Sequence, residues 1–215
     1  MVDPEKFAQA LFKGSVEEVK KLTQECFDRG EKAQDILNRG LVKAMEQVGV
    51  KFKNCEIYIP EVLIAARAMH AGMGMLKPIL AKSTASTAAK IVLGTVQGDL
   101  HDIGKNLVGM LLEGGGLEVV DIGIDVSPEK FVQAAKDAKA QIVGISTLLT
   151  TTMLGMKDVL RALEQADIRS RVKVMVGGAP VTQSFANEIG ADGYGESAAD
   201  AVDKAKTLLG IAPKG

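Results

Sequence analysis

The sequence contains no tryptophan, and its aromatic residues stop at two tyrosines and six phenylalanines among 215 residues. So few rings exclude the stacking platforms that hold single-stranded nucleic acid. Charge of one sign is equally scarce. Lys and Arg (26) nearly balance Asp and Glu (27), so no net field draws in nucleic acid or an anionic membrane surface, and a partner has to be recognised by shape. No stretch reaches the ~20 apolar residues of a membrane span. Met1 to Phe12 mixes Asp3, Glu5 and Lys6 with single apolar residues, unlike a secretion signal. The sequence thus predicts a cytoplasmic protein, with neither nucleic acid nor membrane as partner. The two cysteines, Cys26 and Cys55, lack Cys-x-x-Cys spacing. In a reducing compartment each is expected to be a small buried hydrophobe rather than half of a disulfide.

Apolar residues are plentiful, at 47% with 25% charged, which excludes the disordered class and requires a packed core. The length suits two small domains. From Pro4 to about Leu80 apolar residues recur at spacings of three and four, as in Val16, Val19, Leu22 and Cys26, or Ile36, Leu37, Leu41, Ala44, Met45 and Val48. That period is helical. Breaks at Gly14-Ser15, Gly30 and the Asn54 to Pro60 stretch divide it into four helices. Ser15 and Glu18 form a capping-box pattern for the second, and Pro60 occupies the first turn of the fourth. Ala81 to Ala89 are short and polar, the composition of a flexible connection. After Lys90 short β-branched runs alternate with amphipathic stretches: Ile91 to Val96, Leu117 to Ile122, Gln141 to Ser146, Val172 to Val176, and a weaker run at Gly193-Tyr194. Near-continuous apolar strands flanked by helices indicate an α/β fold with a doubly wound parallel sheet of five strands, Rossmann-like or flavodoxin-like. The expected organisation is a four-helix bundle at 1–80, a linker at 81–89 and a sheet domain at 90–215.

In such sheets ligands sit at the carboxyl edge. The first loop there is Gly98-Asp99-Leu100-His101-Asp102-Ile103-Gly104-Lys105-Asn106, with one of only two histidines in the chain. An imidazole binds a metal through one nitrogen when the other is held by an acceptor, and Asp99 stands two residues away. A surface histidine in a polar turn is the plainer reading. Gly104-Lys105 is reminiscent of a phosphate loop, but Gly98 lies six rather than five before Gly104 and Asn106 replaces Ser or Thr, so nucleotide hydrolysis is set aside. A zinc centre needs three or four protein ligands, yet Cys26, Cys55 and His70 all fall in the helical part. A metal that brings its own equatorial ligands needs just one.

Asp99-x-His101-x-x-Gly104, then Ser146-x-Leu148 after the third strand and Gly177-Gly178 after the fourth, resembles the three-part signature of cobalamin-binding domains. The group in question binds its cofactor base-off and His-on, with the cofactor's own lower base displaced by a protein histidine. The preceding bundle, with Tyr58-Ile59-Pro60-Glu61, resembles the helical cap of methionine synthase and of the corrinoid proteins of methanogens and acetogens. The likeness covers nearly the whole chain. It implies cobalamin or a related corrinoid, with His101 as lower axial ligand to cobalt. It also implies cofactor contacts from Gly98, Asp99, Leu100, Asp102, Ile103 and Gly104, from Ser146, Leu148 and Thr150, and from Gly177, Gly178 and Tyr194. Gly178, lacking a Cβ, would let the backbone approach the nucleotide tail; Ser146 would hydrogen-bond the tail's base, and Thr150 other polar groups. An ordinary tight turn at Gly177-Gly178 and a helix N-cap in Thr150-Thr151-Thr152 are the alternatives. Asp99, His101 and Thr152, where the synthase pattern has serine, would form a proton relay.

The resemblance further implies a methyl shuttle. A substrate-specific methyltransferase would place a methyl group on cobalt(I), and an acceptor methyltransferase would pass it to tetrahydrofolate or a thiol. A reductive activase would restore the cofactor. The chain would then be a non-catalytic corrinoid subunit of a methyltransferase system in one-carbon metabolism. His101 would bind and release cobalt, taking up a proton on release, and the bundle would swing on the linker. His70 is expected to be a partly exposed helix residue. Met69, Met73 and Met75 are expected to fill the core, although Met69 and Met73 share a helix face that could cover the cobalt. An adenosylcobalamin-dependent isomerase subunit would place its substrate in a separate barrel. A cobalamin-sensing regulator would add a basic DNA-reading element.

Overall fold

The computed structural model describes residues 2–80 and 89–211. Of the expected connection at 81–89, residues 81–88 lie outside the described residues, whereas Ala89 is described and already belongs to the sheet unit, its carbonyl accepting from the Glu118 N–H at 2.9 Å. The chain divides into two compact units, the first within residues 1–88 and the second from Ala89 onward, apart from Glu113–Gly116, which cluster with the first. Among the described residues no helix is long and apolar enough to cross a membrane.

The first unit is helical: α1 Pro4–Phe12, α2 Val16–Asp28, α3 Ala33–Asp35 running through a π-helical segment Ile36–Val42 into α4 Lys43–Lys53, and α5 Ile59–Leu80. Counting Ala33 to Lys53 as one rod gives the four expected helices. Ser15 caps α2 by accepting from the Glu18 N–H at 3.3 Å; its own N–H donates to the Ala10 carbonyl instead, so half of the capping box forms. The π-helical widening escapes the apolar period, because Ile36, Leu41, Ala44, Met45 and Val48 are buried through it. Within it Gly40 abuts Phe7, whose ring would lie 3.0 Å from an added Cβ. Cys26 is buried as expected, but Cys55 is exposed. It follows the end of α4 in a left-handed conformation (φ 59°), and Glu56 N–H closes the helix on the Lys51 carbonyl at 2.9 Å. Such a C-terminal cap position turns its side chain outward. Met69 is buried, Met73 and Met75 are half-buried and His70 is exposed; the buried Met69 cannot offer a free face.

The second unit carries β1 Lys90–Thr95, β2 Glu118–Asp121, β3 Ile142–Ser146, β4 Lys173–Gly177 and β5 Gly193–Gly195. All pairings are parallel and the order is β2-β1-β3-β4-β5, the flavodoxin-like arrangement, in which ligands sit at the switch point between β1 and β3. Alternation along the strands divides the core into two layers. Val92, Val143 and Val174 pack with Phe131 of α7 (Pro128–Ala138), Leu163 of α8 (Gly155–Gln165) and Phe185 of α9 (Gln183–Glu188). Ile91, Ile142 and Met175 pack with Leu112 of α6 (Ile103–Gly114) and Ala205 of α10 (Ala198–Leu208). Burial on both faces is why these strands read as continuous apolar runs.

Candidate functional site

The loop between β1 and α6 is pinned at several points. Gly98 (φ 83°) donates its N–H to Asp125 Oδ1 at 2.7 Å, and the Asp125 N–H returns to the Asp99 carbonyl at 3.1 Å. Thr95 Oγ1 donates to the His101 carbonyl at 2.9 Å. Asp99 is fully buried. Its Oδ1 accepts from the His101 N–H at 3.1 Å and lies 2.7 Å from His101 Nδ1. Its Oδ2 accepts from Leu148 N–H (2.7 Å), Leu149 N–H (3.2 Å) and Thr147 Oγ1 (2.8 Å), and Thr152 Oγ1 lies 3.0 Å away.

Burial alone would push the Asp99 carboxyl up. Donation from Leu148 N–H, from the His101 ring and backbone, and from Thr147 outweighs that and holds it well below the usual carboxylate range. An ionised Asp99 can only accept, so the proton of a neutral His101 sits on Nδ1 and leaves Nε2 as a lone pair. The His101 side chain is half-exposed, so a metal can reach that nitrogen.

Beside the loop a cavity of about 780 Å³ opens between the sheet and helices α6 and α10. Leu100, His101, Asp102, Ile103, Gly104, Ser146, Leu148, Gly177, Gly178 and Tyr194 all line it. Its apolar wall includes Ile91, Leu112, Ile142, Met175 and Ala201. Since β3 contributes from Ile142 to Ser146, the cavity runs about 13 Å along the strand at about 3.3 Å per residue. Leu100 (68% exposed), Ile103 (74%) and Leu148 (45%) stand large and apolar in solvent, which marks a surface shaped for an apolar partner. Burial pushes the Tyr194 hydroxyl up, reinforced by Glu196 and Asp200.

Several expectations change at this level. Thr150 is exposed and does not line the cavity, nor does the threonine run cap α8, which starts at Gly155 after Leu154 with no side-chain cap. Gly98 lies outside the wall too and acts through the loop's anchorage. Gly178 is at the wall, but its missing Cβ serves the protein first: an added Cβ would lie 1.8 Å from the Thr147 carbonyl oxygen, at φ 130°. Lys105 does not reach out as a phosphate-loop lysine would. Its side chain is buried, with Nζ donating to Asp121 Oδ2 and Asn106 Oδ1. Thr147 and Asp125 escaped the sequence reading. Nothing in Ser146-Thr147 tells which hydroxyl faces a carboxylate 48 positions away, and Asp125 has no motif around it.

Residues 89–203 match the family model of a B12 binding domain, and residues 4–77 match a second model with the same description. The chain belongs to the B12-binding family. It is 43% identical over 205 residues to a corrinoid protein of Desulfitobacterium hafniense, covering 94% of this chain and 95% of that one. It is 48% identical over 176 residues to dimethylamine corrinoid protein 3 of Methanosarcina acetivorans, covering 82% and 83%. Among solved structures, a chain of the methanol:cobalamin methyltransferase complex from Methanosarcina barkeri has a TM-score of 0.86 at 32% identity, over 95% of this chain and 78% of that chain.

The cofactor of this B12-binding protein is cobalamin or a related corrinoid, and its residues fit one. Among the described residues no cluster of three His, Cys, Asp or Glu side chains could hold a bare ion, whereas a single oriented imidazole suits a metal with its own equatorial ring. Gly104 adds a second sign. It lines the cavity of this B12-binding protein, and an added Cβ there would meet nothing within 4 Å.

Proposed function

We propose that this protein is a methyl carrier between two methyltransferases, in which His101 Nε2 would ligate the cobalt of a corrinoid bound base-off. The observation that supports this most is the half-exposed His101, tied through Nδ1 to a buried Asp99, at the mouth of a cavity beside the sheet that would receive a displaced nucleotide tail. When bound, the corrinoid supplies a cobalt centre that accepts and gives up a methyl group. The relatives' names lend support, as one is a dimethylamine corrinoid protein and another belongs to a methanol:cobalamin methyltransferase complex. The partners proposed are a substrate-specific methyltransferase, an acceptor methyltransferase using tetrahydrofolate or a thiol, and a reductive activase.

Each residue then has a task. Asp99 Oδ1 fixes the His101 tautomer, leaving Nε2 as the lone pair that would hold the metal. Thr152 Oγ1 stands behind Asp99, within reach of both its Oδ2 and the Thr147 hydroxyl. Ser146 would offer its hydroxyl to the tail, while Gly177, Gly178 and Tyr194 shape the wall. Leu100, Ile103 and Leu148 present apolar surface at the mouth that would exclude water from a bound corrin. The proposal is tested by purifying the protein anaerobically and identifying the upper axial ligand by mass spectrometry. Methyl is the expected result; an adenosyl group would overturn the carrier assignment in favour of radical chemistry.

A further inference from the structure

We infer that Thr147, rather than Thr152, is the hydroxyl that positions Asp99 and through it the His101 ring. The inference rests on the reading of His101 as metal ligand. Thr147 is buried, 1% exposed, at the end of β3. Its Oγ1 lies 2.8 Å from Asp99 Oδ2 and 2.8 Å from Thr152 Oγ1. Thr152 Oγ1 stands farther from the carboxylate, at 3.0 Å, with the Leu149 carbonyl at 3.1 Å.

Two hydroxyl protons must serve these contacts. If both pointed at Asp99, the 2.8 Å contact between the two hydroxyl oxygens would hold no proton. If Thr152 donated to Asp99 and Thr147 to Thr152, the 2.8 Å approach of Thr147 to an ionised oxygen would hold none. One arrangement puts a proton in both of the shortest contacts: Thr147 donates to Asp99 Oδ2, and Thr152 donates to Thr147. Thr152 then acts at one remove.

The backbone fixes Thr147 independently. Its N–H donates to the Gly177 carbonyl at 3.3 Å, and its own carbonyl occupies the space that a side chain at Gly178 would need. Thr147, Gly177 and Gly178 also line the cavity. Thr147 therefore belongs both to the wall that would seat the nucleotide tail and to the support beneath Asp99.

Thr147→Val keeps the shape and removes the donor; Thr147→Ser keeps the donor. The full chain, reconstituted with hydroxocobalamin and reduced to cobalt(II), is read by electron paramagnetic resonance for nitrogen splitting from histidine, with circular dichroism checking the fold. In Thr147→Val the ratio of histidine-ligated to unligated cobalt is expected to fall about tenfold. Thr147→Ser should stay within about twofold of the parent, and Thr152→Val should lose less than Thr147→Val. If the valine variant does not fold, Thr147→Ala takes its place with the same expectation. Unchanged splitting in a folded valine or alanine variant, or an equal or larger loss in Thr152→Val, would overturn the assignment. A parent protein that binds cobalamin without nitrogen splitting would instead sink the histidine-ligand reading itself.

Discussion

Asp99 divides its work between two oxygens. Oδ1 faces the imidazole and decides which ring nitrogen carries the proton; Oδ2 is held by the Thr147 hydroxyl, with Thr152 behind it, and by two backbone N–H groups. Asp99→Asn separates these tasks. The amide oxygen turns toward the Oδ2 side, where backbone N–H groups can only donate, so the amide NH2 faces His101 Nδ1. That nitrogen then has to accept, and Nε2 carries the proton and cannot ligate a metal. The expected outcome is a folded protein whose reconstituted cobalt(II) form loses nitrogen splitting almost as fully as His101→Ala. Retained ligation in Asp99→Asn would show that the tautomer is set elsewhere.

At this scale His101 and Asp99 were legible, because two residues apart on one loop is a spacing that local geometry can close. Thr147 was not legible. Its role depends on the β1–β3 pairing that brings Thr95 opposite Ser146, a register that no residue type announces. Asp125 stayed hidden for a similar reason, reaching Gly98 across 27 positions. Cys55 was misread since the left-handed cap it fills ordinarily takes glycine.

Among the elements, the strands were the clearest in sequence. Their apolar runs reflect two-sided burial, and all five, including the three-residue last strand, begin and end within one residue of their expected bounds. The π-helical segment was invisible, as a widened turn leaves the same residues apolar. The glycines of the strand-end loops share a letter but not a cause. Gly178 is required by the Thr147 carbonyl and by its own φ of 130°, while a Cβ at Gly104 meets nothing. Gly178→Ala is accordingly expected to cost about 3 kcal/mol, the scale of backbone strain with a displaced neighbour. Gly104→Ala, inside α6, should leave stability unchanged or raise it by up to about 1 kcal/mol. Urea unfolding of both variants checks the contrast, and an equal cost at the two positions would refute it.

For the whole molecule, the near-neutral charge and the scarcity of rings fit a protein that meets its partners by shape. In the second unit the sheet is covered on both faces by its own helices: Phe131, Met156, Leu163 and Phe185 bury one side of the central strands, and Leu112, Ala201 and Ala205 the other. A fragment of residues 89–215 therefore keeps both core layers and the cavity wall, at a length within the usual range of about 100–150 residues for an independent domain. It is expected to unfold in a single cooperative thermal transition and to take up hydroxocobalamin with the same nitrogen splitting as the full chain, since Asp99, Thr147, Thr152 and His101 all belong to it. Circular dichroism and electron paramagnetic resonance of the fragment check both halves of that expectation. A fragment that folds but lacks histidine ligation would mean that the helical unit completes the metal site. A fragment that stays unfolded would mean that the two core layers, though closed by their own helices, fall short of offsetting the chain entropy of the sheet.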